Sequence, residues 1–137
     1  MVQATISKKS YLSAIGRRKC AVANVRFYKK DTGDIEVNGQ PFKKYFPTKE
    51  LQAIVKSPLV RVGVGETSKI TIKVNGGGKQ AQAESTRLAI ARVLVLTEAT
   101  LKPALRQAGY LTRDPRVKER KKPGLKRARR APQWAKR

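Results

Sequence analysis

A chain of 137 residues is the size of one ordinary domain with a tail to spare, and its 39% of hydrophobic residues falls below the roughly 45–50% of an average soluble protein. Its 32 Lys and Arg stand against 9 acids, a net charge of +23 that opposes compaction unless a polyanion neutralises it; nucleic acid is the first candidate partner and an anionic membrane surface the second. A single cysteine, Cys20, and no histidine exclude an intrachain disulfide, a cysteine-cluster metal site and the usual zinc ligand sets.

Residues 1–10 are polar and read as a flexible segment with no apolar core of signal-peptide length. No apolar run approaches the roughly 18–20 residues that span a bilayer, so a soluble, reducing compartment is expected. Tyr11 to Ile15 predicts a short strand, interrupted by Gly16-Arg17-Arg18-Lys19. A clearer strand follows from Cys20 to Tyr28, with Ala21, Ala23, Val25 and Phe27 on one face, Asn24 and Arg26 on the other, and Cys20 within it as a small buried group. Asp31-Thr32-Gly33 reads as a turn and Asp34 to Val37 as the returning strand, which makes 20–38 a hairpin; Asn38-Gly39 turns the chain again. Thr48 stands as the N-cap of a helix with Leu51, Ile54 and Val55 on its apolar stripe, ended by Pro58, with extended structure over 59–64. Ile70, Ile72 and Val74 alternate with Lys69, Thr71 and Lys73, a half-buried strand with a basic outer face, broken by Asn75-Gly76-Gly77-Gly78. From Lys79 to about Leu96 the pattern is helical: Leu88, Ala91 and Val95 run beside Ile90 and Leu94 as a wide apolar face, and alanines permit close approach to strands. Thr100 to Ala108 is a further short helix with Gly109 at C′. The expected organisation is a flexible segment at 1–10, a globular body at 11–112 and an extended basic tail at 113–137.

The tail is the strongest chemical signal. Its 25 residues hold 12 basic side chains against two acids, Asp114 and Glu119, and its apolar anchors are only Val117, Leu125 and Trp134. Such a segment buries too little surface to fold alone and is expected to order on a polyanion. Lys and Arg that neutralise phosphates release counterions, and Arg adds a planar fork for bidentate contact. Gly16-Arg17-Arg18-Lys19 groups three cations between two strands, suited to a phosphate-rich groove or simply an exposed basic turn. Gly76-Gly77-Gly78 invites a P-loop reading, but Gln80 stands where Ser or Thr is required and Lys73 where the first Gly is required. A phosphate contact at the helix start, helped by Lys79, and plain turn geometry both remain open. Catalysis has little support: there is no His for acid–base work, no paired carboxylates are evident, and nothing activates Cys20.

Together these residues resemble the ninth small-subunit ribosomal protein family, bacterial or organellar type, from about Tyr11 to Arg137. The matching blocks are Gly16-Arg17-Arg18-Lys19, Gly76-Gly77-Gly78 with Gln82-Ala83 and Arg87, Arg106, Ala108-Gly109, and Thr112-Arg113-Asp114 with Arg116. Then follow Glu119-Arg120-Lys121-Lys122, Gly124-Leu125, Arg127-Ala128-Arg129-Arg130, Pro132-Gln133 and Lys136-Arg137. The resemblance implies an α+β fold, a small mixed sheet backed by helices with a left-handed β-α-β crossover. It also implies placement in the head of the small subunit on 16S-type rRNA, beside neighbouring head proteins, with the tail reaching toward the peptidyl-site tRNA. By matching position, Arg137 contacts the tRNA anticodon loop, with Lys136 beside it. Two departures stand out: Ala81 replaces the family's Gly before Gln82-Ala83, and Trp134-Ala135 replace the usual Phe-Ser before the last two cations.

The expected function is therefore a non-enzymatic structural constituent of the small ribosomal subunit. The rRNA ligands expected are Arg17, Arg18, Lys19 and Lys79 on the body and Arg113, Arg116, Arg120, Lys121, Lys122, Lys126, Arg127, Arg129 and Arg130 on the tail. Lys136 and Arg137 are expected on tRNA. No cofactor, metal, membrane or small-molecule substrate is expected, and the location is the ribosome of the cytoplasm or of a plastid or other organelle. The rival is a general nucleic-acid-compacting basic protein, which accounts for the charge but not for the ordered blocks.

Overall fold

Five strands form in the computed structural model, which describes residues 11–63 and 68–136. The expectation for residues 1–10 lies outside the described residues. Strands β1 (Leu12–Arg18), β2 (Ala21–Thr32), β3 (Ile35–Val37), β4 (Gln40–Pro41) and β5 (Ser68–Asn75) form one mixed sheet in the order β1-β2-β5-β3-β4. Helices α1 (Phe42–Tyr45) and α2 (Lys49–Val62) connect β4 to β5. After β5 come α3 (Lys79–Thr97), a 3₁₀ turn (Ala99–Leu101) and α4 (Lys102–Gln107). The α+β architecture stands as expected from the sequence.

One face of the sheet makes the core. Ala23, Val25 and Phe27 of β2 and Ile70, Ile72 and Val74 of β5 are buried with Val37, Phe42, Phe46, Val55 and Leu59. Helix α3 lies on β1 and β2 and also meets α2, so 11 of its 19 residues are buried, Leu88, Ile90 and Leu94 among them. This explains why its apolar face is wider than one stripe.

Four sequence expectations are corrected. Gly16 does not interrupt the first strand: β1 runs through it to Arg18 and pairs with β2 from Leu12↔Phe27 to Arg18↔Ala21. A side chain at Gly16 would collide with the Ser85 carbonyl oxygen and the Ala89 nitrogen, so the glycine exists for contact with α3. Cys20 is not a buried strand residue; it is exposed in the two-residue turn with Lys19, whose φ is 51°. Residues 20–38 are not a hairpin, because β2 is flanked by β1 and β5 and its successor β3 pairs parallel with β5 (Ile35↔Ile70). Gly33 carries the chain past the Lys69 stem, which a Cβ there would press at 3.3 Å. Pro58 does not end α2, nor are residues 59–62 extended; the helix continues to Val62 and closes on Gly63 at φ 69°. The N–H that Pro58 lacks would have reached the Ile54 carbonyl, and the Ser57 hydroxyl donates to that oxygen instead, at 2.7 Å.

Local chemistry fixes the remaining turns. Asn38 and Gly39 have φ of 50° and 75° and join β3 to β4, as Asn-Gly does in tight hairpins. The Asn38 side chain donates to the Val74 carbonyl at 2.9 Å and accepts from the Val74 N–H at 3.0 Å, extending the ladder by one residue. Helix α4 ends in a Schellman closure: Tyr110 N–H donates to Leu105 O and Gly109 N–H to Arg106 O, both at 3.0 Å.

Candidate nucleic-acid interface

The β1–β2 hairpin carries the first basic cluster to one end of the molecule. Successive strand residues point to opposite faces, so Arg17 is exposed and Arg18 turns inward, 9% exposed. Lys19 projects from the turn. The glycine turn after β5 packs directly on this tip: a side chain at Gly76 would strike the Cys20 carbonyl, and one at Gly77 would press Ala21 Cβ at 3.0 Å. Both glycines also have positive φ, 74° and 65°. Two clusters some 60 residues apart in sequence thus form one surface.

Gln82 holds the glycine turn from behind. Its Nε2 donates to the Gly76 carbonyl at 3.1 Å, and its Oε1 accepts from the Tyr45 hydroxyl at 2.9 Å. Tyr45 in turn carries Lys79, whose Nζ sits 3.4 Å from the ring centroid while the residue stays exposed. Lys79 therefore presents charge from a fixed position at the start of α3. Ala81 is 6% exposed, so its methyl lies inside the protein and away from this surface.

Arg18 ties the tail to this same end. Its guanidinium pairs with Glu84 on α3 and, at 2.9 Å, with Asp114. It also donates to the Arg116 carbonyl at 3.0 Å. Asp114 binds Arg116 through both carboxylate oxygens and accepts the Arg116 backbone N–H at 3.0 Å. Those contacts with Arg116, and then Arg18, hold the Asp114 carboxyl well below the usual carboxylate range. Burial pushes the Glu84 carboxyl up, but hydrogen bonds from Arg18 and Gln80 and the charges of Arg18 and Arg87 outweigh it, and the net direction is down. Arg87 lies over the Tyr110 ring, 5.5 Å from its centroid, beside the tail root.

Of the body cations singled out in the sequence, Arg17, Lys19 and Lys79 stand on the surface of this end, while Arg18 is occupied inside it. On the tail, Arg113, Arg116, Arg120, Lys121, Lys122, Lys126, Arg127, Arg129, Arg130 and Lys136 are all exposed. Arg137 lies outside the described residues. Glu119 pairs with Lys122 at 3.0 Å and with Arg129 at 2.9 Å, folding the tail locally around a turn at Gly124, φ 79°. Sequence reasoning missed Glu84 and Asp114 as partners of Arg18; the strand alternation that sends Arg17 out and Arg18 in was the available signal.

The same segments match a known family. The family model for ribosomal protein S9/S16 covers residues 16–137, from the hairpin glycine through the tail. The chain belongs to the ribosomal protein S9/S16 family. Among its relatives, the small ribosomal subunit protein uS9 of Porphyromonas gingivalis is 50% identical over 127 residues, covering 93% of this chain and 98% of the relative. The protein of the same name from Mycobacterium tuberculosis is 48% identical over 126 residues, covering 92% and 83%. No helix among the described residues is long and apolar enough to cross a membrane.

Proposed function

We propose that this chain is a structural protein of the small ribosomal subunit that grips rRNA with a fixed basic end and a basic tail leaving from that end. One observation carries the reading. The hairpin tip, the glycine turn and the tail root converge, and Arg18 bonds to residues of both α3 and the tail. Arg17, Lys19 and Lys79 contact phosphates from the body, residues 11–112. The tail, residues 113–137, contributes Arg113, Arg116, Arg120, Lys121, Lys122, Lys126, Arg127, Arg129 and Arg130. Arg18 acts through position, by aiming the tail. Phosphate contacts set register and carry little sequence information, so selectivity comes from the shape of the folded RNA. Neighbouring proteins of the subunit head complete the surroundings.

The end of the tail, Lys136 and Arg137, serves the peptidyl-site tRNA as electrostatic and hydrogen-bonding ligands without making or breaking bonds. Trp134, 79% exposed, is available to stack on a base. Subunits assembled with a chain lacking residues 133–137 are expected to bind peptidyl-site tRNA more weakly in a filter-binding titration. Equal affinity would remove the tRNA role and leave the scaffold role in place.

A further inference from the structure

The helices pack on one face of the sheet, and among the described residues no element covers the other. That open face gathers the outward residues of three strands: Ile15 of β1, Arg26 and Tyr28 of β2, and Lys69 and Lys73 of β5. Glu36 of β3 is the acid in register with Thr71. At one corner Tyr11 and Tyr28 lie with ring centroids 5.8 Å apart, and the Arg26 guanidinium sits 5.0 Å from the Tyr11 centroid. Tyr11 and Ile15 are each 46% exposed, so rings and aliphatic surface stand open between the cations. An open depression of about 520 Å³ runs between Arg26, Tyr28, Glu36 and Lys73.

An apolar protein surface laid over this face would bury the cations without partners. A ribonucleotide strand brings phosphates for Arg26, Lys69 and Lys73 and base faces for the tyrosines. We propose that the open face of the sheet is a second RNA-docking surface, separate from the hairpin end and the tail, and that it takes an unpaired strand of the rRNA. This rests on the rRNA-binding role proposed above.

The test places a photoreactive phenylalanine analogue at Tyr28 in the full chain, assembled into small subunits, and in a separate preparation at Trp134 of the tail. The expected result is an rRNA crosslink from Tyr28. A crosslink from Tyr28 only to protein, or none, overturns the docking surface. An RNA crosslink from Trp134 with none from Tyr28 does so while sparing the rRNA-binding role, whereas silence from both sinks that role too. A second measurement compares R26Q/K73Q with the parent chain on rRNA fragments across salt, with melting temperatures to show both folded. The double variant is expected to lower the salt slope by about two, roughly one for each phosphate left without its cation. An unchanged slope counts against the surface.

Discussion

Body and tail carry their positive charge in opposite ways. In the body, cations stand against fixed neighbours: Arg18 lies between Glu84 and Asp114, Lys79 over Tyr45, Arg26 over Tyr11, and Arg92 on the Ile15 carbonyl at 2.6 Å. In the tail, Arg120, Lys121, Lys126, Arg127 and Arg130 lie on a segment with only Val117, Leu125 and Trp134 as apolar anchors. A body cation is placed by the fold, so losing it disturbs geometry. A tail cation is one of many, so its loss registers as charge. In the proposed role the body confers position and the tail confers affinity.

The sharpest way to break this division is to remove the tail beyond its anchor. A chain ending at Arg116 keeps the Arg18–Asp114 pair and loses ten basic residues. If six or more of them meet phosphate, rRNA affinity falls by roughly 10³-fold or more near physiological salt, and the slope of log affinity against log salt flattens by several units. The stability of the body should stay within about 0.5 kcal/mol of the parent, as for changes away from packed features. Filter binding across salt and thermal melting read the two quantities. A large drop in melting temperature would show that the tail is part of the folded body.

A smaller effect is expected where the two regions join. Arg18→Ala leaves Glu84 partly buried without its main partner, and the loss of stability should be about 1–3 kcal/mol in chemical denaturation. The pair also has a pH signature. Glu84 and Asp114 have ordinary values of 4.5 and 3.8 and are both lowered in the fold, so their contribution is fully present above about pH 4.5 and fades as pH falls below it. The parent should melt at constant temperature from about pH 7 to about pH 5 and lose stability below that. In Arg18→Ala the acid loss should be shallower, with the residue of it coming from Asp114, which Arg116 still holds. Identical acid profiles would show that Arg18 does not couple the tail to the body.

How far the sequence spoke for itself follows the same division. The tail was legible as a basic segment because composition alone defines it. Strands β2 and β5 and helix α3 were legible because alternation along the strands and a wide helical stripe leave one way to bury the apolar set. What was not legible depended on distant partners. Gly16 looks like a break until Ser85 and Ala89 press on it from α3. Pro58 looks like a stop until the Ser57 hydroxyl caps the Ile54 carbonyl. The apparent hairpin at 20–38 failed because sequence neighbours need not be sheet neighbours, and β5 inserts between β2 and β3. Arg18 was grouped with Arg17 and Lys19 by composition, but their separation is set by the pleat and by acids 66 and 96 residues away.

The smallest effect makes the comparison finest, since it pits one lysine against another. Lys79 and Lys121 are both exposed and both proposed to meet RNA phosphate, but only Lys79 stands over an aromatic ring. Lys79→Gln should reduce the rRNA salt slope by about one and also cost about 0.5–1 kcal/mol of folding stability, the scale of an exposed cation–π contact. Lys121→Gln should reduce the slope by the same amount and leave the melt unchanged. Because Tyr45 also bonds Gln82, which holds Gly76, the first variant should loosen the glycine turn, read as faster amide exchange at Gly76 and Gly77. Equal melting curves for the two variants would mean that the ring contact contributes nothing, and that body and tail lysines differ only in address.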